Sequence, residues 1–379
     1  MLFSHISDTH LGLTQYGLEE RENDIYSAFN EAIDTSIRDH VDFVIFAGDI
    51  FHVPNPSGTA IIQMANALRR LKENDIDSFF VLGEHDTSRI RSTPIPYVYH
   101  NLKFSRYIGD GTPFVYKDVF LAGFDKMRKS EVARFSEKFA EIDGAAQKHK
   151  GHKILVMHQG ISEINQFASE LSSTDLPRNF TYYAMGHLHD RAEKKFSCLG
   201  GPLAYPGSIE MTTSEGIKET QKGFYEVDIS TPEPHPSWIK LDTRPQLSVR
   251  TEFENLADTI NDTLEKIANY AKKPIVELKI SGNDISSEAV QLQIARLVPH
   301  TLHCIWKTIQ KGGSGSSVLS ERPSSIDDEL FRLATNHLGS EKLAGFAIRE
   351  LLPVLASGKI DEAGHIIVEN FEQFKVVKK

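Results

Sequence analysis

Apolar residues recur along this chain in two rhythms. Short unbroken runs, "FVIF" at 43–46, "FFVL" at 79–82, "ILVM" at 154–157 and "YYAM" at 182–185, each give way within two residues to glycine or histidine. Runs of this length predict strands buried on both faces, as in a parallel sheet covered by helices. Residues 2–7 predict a further strand at the N-terminus. Between the runs the period lengthens. Ile25, Phe29, Ile33 and Ile37 recur at i+4 and predict a helix over residues 20–40; Ile61, Met64, Ala65, Leu68 and Leu71 predict a second one. This β-α-β-α-β order predicts parallel strands with helices packed on the sheet. "TPFVYKDVFLAGF" predicts a hairpin turning at Lys117-Asp118.

The pattern changes at "STPEPHP", residues 230–236, where three prolines disfavour regular structure. Residues 243–310 then read strand, helix, strand, helix, strand, most clearly in "PIVELKISG" and "SSEAVQLQIARLVP". "KGGSGSSV", residues 311–318, has the composition of a flexible linker, natural or engineered. Two amphipathic helices follow, in "SSIDDELFRLATNHLG" and "EKLAGFAIRELLPVLASG", too small to bury a core alone. The expected organisation is a core over 1–240, a capping domain over 243–310, the linker over 311–318 and a helical module over 319–379.

Composition narrows the class. A length of 379 residues suits two or three domains, and 40% hydrophobic with 25% charged residues is ordinary for a soluble globular chain. No apolar stretch approaches a membrane span, and the N-terminus lacks the pattern of a secretory signal. The two cysteines, Cys198 and Cys304, lie far apart, as suits a reducing cytoplasm. With a net charge of −10 there is no global basic field. A nucleic-acid partner would have to be met by local patches or bound cations.

Candidate chemistry sits where the apolar runs end. "DTH" supplies Asp8 and His10, "GDIFH" Asp49 and His52, "GEHD" Glu84 and His85, "MHQG" His158, and "GHLH" His187 and His189. Parallel strands would deliver all of them to one sheet edge. Taken singly, each has a plainer reading: aspartate after glycine caps helices, and an HxH pair can simply be hydrogen-bonded. Five such junctions in this order are harder to dismiss. Carboxylates and imidazoles without thiolates suit Mn²⁺, Fe²⁺ or Zn²⁺. The donors outnumber what one ion needs, and a pair of ions bridged by one carboxylate accounts for the surplus.

The ordered set D-x-H, G-D, G-x-H-D, H, G-H-x-H resembles the calcineurin-like metallophosphoesterases over roughly the first 210 residues. "SHISDTHLG", "VDFVIFAGDIFH", "ILVMHQG", "YYAMGHLH" and "LAYPGSIE" are similar to the DNA-repair exonucleases of the SbcD/Mre-eleven type. The resemblance implies an α/β fold: a β-sandwich flanked by helices, a small α/β capping domain and a C-terminal helical hairpin. It implies that Asp8, His10 and His189 hold a first divalent ion and Glu84, His158 and His187 a second, with Asp49 bridging and manganese the leading metal. Such a pair activates water for in-line attack on phosphorus. His85 would then be the general acid and His52 would position the substrate.

Further implications are cleavage of double-stranded DNA from its three-prime end and of single-stranded DNA internally, a homodimer, and a cytoplasmic location at the nucleoid or chromatin. An SMC-like ABC ATPase would bind through the C-terminal helices. One residue departs from the family pattern, which has Asn where Glu84 stands; the added negative charge puts the catalytic rate in doubt. Two other functions therefore stay open: a phosphodiesterase or phosphatase on nucleotides or phosphoproteins, and a scaffold that has lost turnover through Glu84.

Overall fold

The apolar runs become strands because each of their faces finds a partner. The structure, a computed structural model, describes residues 1–88, 93–167, 170–212, 216–310, 318–319, 334–335, 340–356 and 360–370. In chain order, β1 (Leu2–Ile6), α1 (Glu19–Arg38), β2 (Phe43–Ala47), α2 (Gly58–Glu73), β3 (Asp77–Val81), α3 (Tyr97–Asn101) and β4 (Arg106–Tyr107) build the first sheet and its helices. Next come β5 (Phe114–Tyr116), β6 (Val119–Phe124), α4 (Val132–Lys148), β7 (Lys153–His158), β8 (Tyr182–Gly186), β9 (Ala192–Lys195) and β10 (Pro202–Tyr205), which form the second. The chain then returns to the first sheet with β11 (Gly223–Asp228) and β12 (His235–Lys240). The strand orders are β12-β11-β1-β2-β3-β4 and β5-β6-β7-β8-β10-β9.

Alternation along β2 shows how the layers are made. Phe43, Ile45 and Ala47 point between the two sheets, where they join Ile154, Val156, Tyr182 and Ala184 in one buried cluster. Val44 and Phe46 point the other way, into a cluster with Phe29 and Ile33 of α1 and Leu68 of α2. A third cluster, including Leu155, Met157 and Tyr183, packs the far face of the second sheet against Phe139 and Ile142 of α4. Both faces of each sheet are covered, so an unbroken apolar run was the correct signature. The β1–β2–β3 and β6–β7–β8 ladders are parallel, so several strands in each sheet end together.

On α2, Met64 and Leu68 are fully buried against the first sheet. One sequence expectation changes in detail. The proline-rich stretch is not a break, because residues 229–234 connect β11 to β12, which are antiparallel neighbours. Pro236 is tolerated because β12 is the edge strand. The expected hairpin at Lys117-Asp118 is present, with Tyr116 opposite Val119 and Lys117 at φ 52°.

The chain divides into two compact units, Met1–Leu247 with Ala271–Ile275, and Ser248–Tyr270 with Val276–Lys379. In the second, the strand order is β13 (Gln246–Glu252), β14 (Ile275–Gly282), β15 (His303–Gln310), β16 (Val318–Leu319). Helices α5 (Leu256–Ile267) and α6 (Ser287–Ile294) intervene, the latter capped by the Ser286 hydroxyl accepting from Ala289 N. Glu341–Gly345, Phe346–Leu351 and Leu352–Ala356 are successive helical segments, and Ile360–Asn370 is a further helix. Residues 311–317 of the expected linker, and nearly all of the helix expected in residues 324–339, lie outside the described residues.

A buried ion-pair network fastens the first unit. Arg21, on α1, donates to Gln15 Oε1 (2.9 Å), Asp24 Oδ2 (2.6 Å) and the Met211 carbonyl (3.1 Å), and lies 3.2 Å from Glu210 Oε1. Its side chain is wholly inaccessible. Removing one partner of such a network leaves uncompensated buried charge. Arg21→Ala is expected to cost about 3–5 kcal/mol, lowering the thermal midpoint by roughly 10 °C in a unit of this size, as read by calorimetry.

Candidate metal centre

The loops that leave β1, β2 and β3 are laced together at one edge of the first sheet. Asp8 N donates to Gly48 O (3.1 Å), His10 N to Asp49 O (3.0 Å) and Leu11 N to Ile50 O (2.9 Å). Asp86 then ties the β2 and β3 loops, accepting from Ile50 N (3.2 Å), Phe51 N (2.9 Å) and Gly83 N (3.0 Å). Burial, followed by the nearby Asp49 carboxylate, pushes Asp86 up to about 7. From the second sheet, β7 and β8 pair in parallel with His158 opposite Gly186, so His158, His187 and His189 emerge at the same edge.

This convergence strains the backbone. Asp8 (φ 52°), His10 (φ 43°), Asp49 (φ 49°) and His187 (φ 97°) all occupy left-handed conformations that non-glycine residues avoid. Such strain concentrates at functional sites, where the surrounding fold holds it in place. Gly83 is needed for a different reason: a Cβ there would lie 2.0 Å from Asp49 Oδ1. Only glycine lets that carboxylate lie against the backbone, where it accepts from His85 N at 2.9 Å.

The expected residues come together in sets. One donor atom each from Asp8, His10 and His189 lies within 4.8 Å of the others, and so do those of Glu84, His158 and His187. Asp49 reaches both: its Oδ2 is 3.8 Å from His10 Nε2 and 3.4 Å from His158 Nε2. His10 and His189 meet Nε2 to Nε2 at 3.0 Å. His85 and His52 stand beside this group with their rings stacked, centroids 5.2 Å apart. His85 Nδ1 donates to the His52 carbonyl (2.7 Å), which turns its Nε2 away as the available proton carrier.

Do these residues suit cations? His158 answers most clearly. It is wholly buried, and its Nδ1 donates to the Ala47 carbonyl at 2.7 Å. The neutral ring therefore presents the lone pair of Nε2 to Glu84 Oε2 (3.0 Å), Asp49 Oδ2 (3.4 Å) and Asp8 Oδ1 (3.9 Å), and Nε2 makes no hydrogen bond of acceptable geometry. A lone pair facing three carboxylates calls for positive charge. The chain alone can supply it by protonating the ring. Burial opposes that, but Asp49, Glu84 and Asp8 outweigh it and hold His158 well above the usual imidazole range. A divalent cation meets the same demand, and the carbonyl bond on Nδ1 is the usual support for a metal-ligating histidine.

The remaining electrostatics agree. Burial raises Asp8, whereas Asp49 is held at about 2, His158 outweighing burial there. At Glu84 burial is again outweighed, by the His158 and His187 imidazoles beside it, leaving its carboxyl far below the ordinary range. Burial lowers His10 and His52, favouring their neutral, lone-pair forms.

Sequence reasoning missed the groups behind the histidines. Thr212 Oγ1 lies 2.8 Å from His189 Nδ1, leaving Nε2 to face the centre, and the buried Lys222 Nζ donates to the His189 carbonyl at 2.7 Å. Lys126 Nζ sits 3.1 Å from His187 Nε2 and 2.9 Å from Glu170 Oε1. Only Asp86 was visible beforehand, as the last residue of "GEHD".

Comparison with known proteins places this geometry among relatives. Residues 1–191 match the calcineurin-like phosphoesterase family. A DNA double-strand break repair protein Mre11 from Thermoplasma acidophilum is 34% identical over 304 residues, covering 77% of this chain and 80% of the relative. The protein of the same description from Methanocaldococcus jannaschii is 34% identical over 74% of this chain and 76% of its own. That from Aeropyrum pernix is 27% identical over 93% of this chain and 95% of its own. No helix among the described residues is long and apolar enough to cross a membrane.

Proposed function

Because the chain belongs to the Mre11 family of calcineurin-like phosphoesterases, we propose that it is a divalent-metal-dependent nuclease acting on broken DNA. The observation that carries this reading is the convergence of seven donor residues, His158 among them, at one sheet edge, in a chain whose relatives are described as double-strand break repair proteins. Asp8, His10 and His189 would hold one cation and Glu84, His158 and His187 another, with Asp49 between them. When bound, the cations supply an activated water and neutralise charge on the phosphate oxygens. Oxygen and imidazole donors without thiolates suit manganese.

The chain's own residues supply the rest. His85, oriented by the His52 carbonyl and packed 4.9 Å from the His10 ring, donates a proton to the leaving oxygen. His52, stacked on His85, borders the place where substrate must lie and positions it. The −10 net charge makes the cations the main electrostatic attraction for DNA in the cleft. Duplex ends are the expected exonuclease substrate and single strands the endonuclease substrate.

Assembly follows from apolar surface. On α2 and α3, which meet where Tyr99 OH donates to the Ile61 carbonyl at 2.9 Å, Ile62, Val98 and Leu102 stay 59%, 44% and 60% exposed. This face is the proposed contact of a homodimer, the commonest closed assembly. Leu352, Leu355, Ile367 and Val368 are likewise exposed on the C-terminal helices, the proposed seat of an SMC-like ABC ATPase.

A substrate panel in Mn²⁺ tests the activity. A linear duplex, a single-stranded circle, a nucleoside monophosphate and a phosphopeptide would be compared by kcat/KM. Both DNAs are expected to be cleaved, with the duplex degraded from its ends. Turnover of the monophosphate or phosphopeptide alone would replace the nuclease with a phosphatase, and turnover of none would favour the scaffold.

A further inference from the structure

His187 is held by two groups that ask opposite things of it. Its Nδ1 lies 2.9 Å from Glu84 Oε1, and its Nε2 lies 3.1 Å from Lys126 Nζ. An ammonium carries only donors. Lys126 therefore donates to Nε2, and a singly protonated ring carries its proton on Nδ1, where Glu84 accepts it.

Lys126 is itself fixed in place. Its backbone N donates to Leu82 O at 2.9 Å and its Nζ to Glu170 Oε1 at 2.9 Å, while Glu170 Oε2 accepts from Gly160 N at 3.0 Å. The Lys126 side chain is mostly buried, at 14% exposure, so water does little to draw it away.

A cation shared with Glu84 and His158 needs the Nδ1 lone pair of His187. The ring proton must then sit on Nε2, where it points at the ammonium. Histidines that bind metals ordinarily give that second N–H to a carboxylate, a carbonyl or water; here the neighbour is a donor. Glu170 is the nearby group able to accept it once Lys126 swings aside. We propose that Lys126 is a positioning residue that delays filling of the second cation site. At the first site, by contrast, His189 Nδ1 faces the Thr212 hydroxyl, which can accept as well as donate. The two sites therefore fill in sequence, and full loading waits on cation supply and on movement of one lysine.

This inference rests on the two-cation reading, and calorimetric titration of the full-length, metal-free chain with Mn²⁺ separates the two. Wild type is expected to bind two ions with resolved affinities. Lys126→Met, similar in length but without donors, should tighten the weaker ion by about tenfold, the low end of the effect of a ligand's neighbour, and leave the tighter ion unchanged. Lys126→Arg, which keeps charge and donors, should preserve the wild-type gap. Two wild-type ions whose weaker affinity is unmoved or reduced in Lys126→Met would overturn the role of Lys126 while sparing the two-cation reading; one ion or none in wild type would overturn both. Nitrogen-15 NMR of metal-free wild type tests the premise without any variant. His187 is expected to carry its proton on Nδ1, and a proton on Nε2 would contradict the proposal.

Discussion

His158→Ala is expected to abolish Mn²⁺-dependent DNA cleavage while leaving both sheets folded. The imidazole is wholly buried, its Nδ1 is committed to the Ala47 carbonyl, and its Nε2 faces Glu84, Asp49 and Asp8. Alanine takes away the lone pair on which those carboxylates converge, and the proposed second cation site would keep only Glu84 and His187 beside Asp49. A cation polarising phosphate is worth several kcal/mol in the transition state. Losing about 4 kcal/mol corresponds to roughly a thousandfold in rate. His158→Asn guards against a packing explanation, because it fills more of the volume with a poorer ligand and should fail nearly as badly. Circular dichroism establishes that each variant is folded, and release of labelled nucleotides from a duplex gives the rate. A His158→Ala variant retaining more than a tenth of wild-type cleavage would remove His158 from the centre.

His85→Ala should separate binding from chemistry. The ring packs against both His10 and His52, and its Nδ1 is anchored to the His52 carbonyl. That leaves Nε2 to carry a proton toward the leaving oxygen. Alanine keeps the backbone N–H that serves Asp49, so the shared carboxylate should hold its position. Metal content and DNA affinity are expected to stay near wild type while cleavage falls by about a hundredfold or more, the usual worth of a positioned proton donor. A bis(nitrophenyl) phosphodiester, whose leaving group needs little protonation, should lose much less. Loss of bound metal in this variant would make His85 a ligand instead, an arrangement that its distances to Asp49 and Glu84 also permit.

The nine candidate residues could be picked out because each follows an apolar run that ends at a sheet edge, and because carboxylate and imidazole are distinctive where strands stop; the structure brings them close together. The fold was legible for the same reason: runs such as "FVIF" are apolar at both odd and even positions, which a parallel strand covered on both faces requires. Other features depend on neighbours that a linear pattern does not show. Met64 and Leu68 look no different in sequence from an exposed apolar stripe, and the first sheet alone makes them core. Lys126, Glu170, Thr212 and Lys222 carry no periodic signal; their meaning arises only when folding brings them against His187 and His189. Pro236 reads as a breaker until the edge position of β12 makes its missing N–H harmless. Glu84 was visible in "GEHD" at the end of a strand, but its two imidazole partners were not.

One quantity matters above the others: the number of cations that the convergent side chains hold. The full-length chain, stripped with chelator, saturated with Mn²⁺ and freed of excess metal by rapid gel filtration, can be assayed by elemental analysis against protein concentration. Two manganese ions per chain are expected in wild type and fewer in His158→Ala; one ion or none in wild type would contradict the two-cation centre.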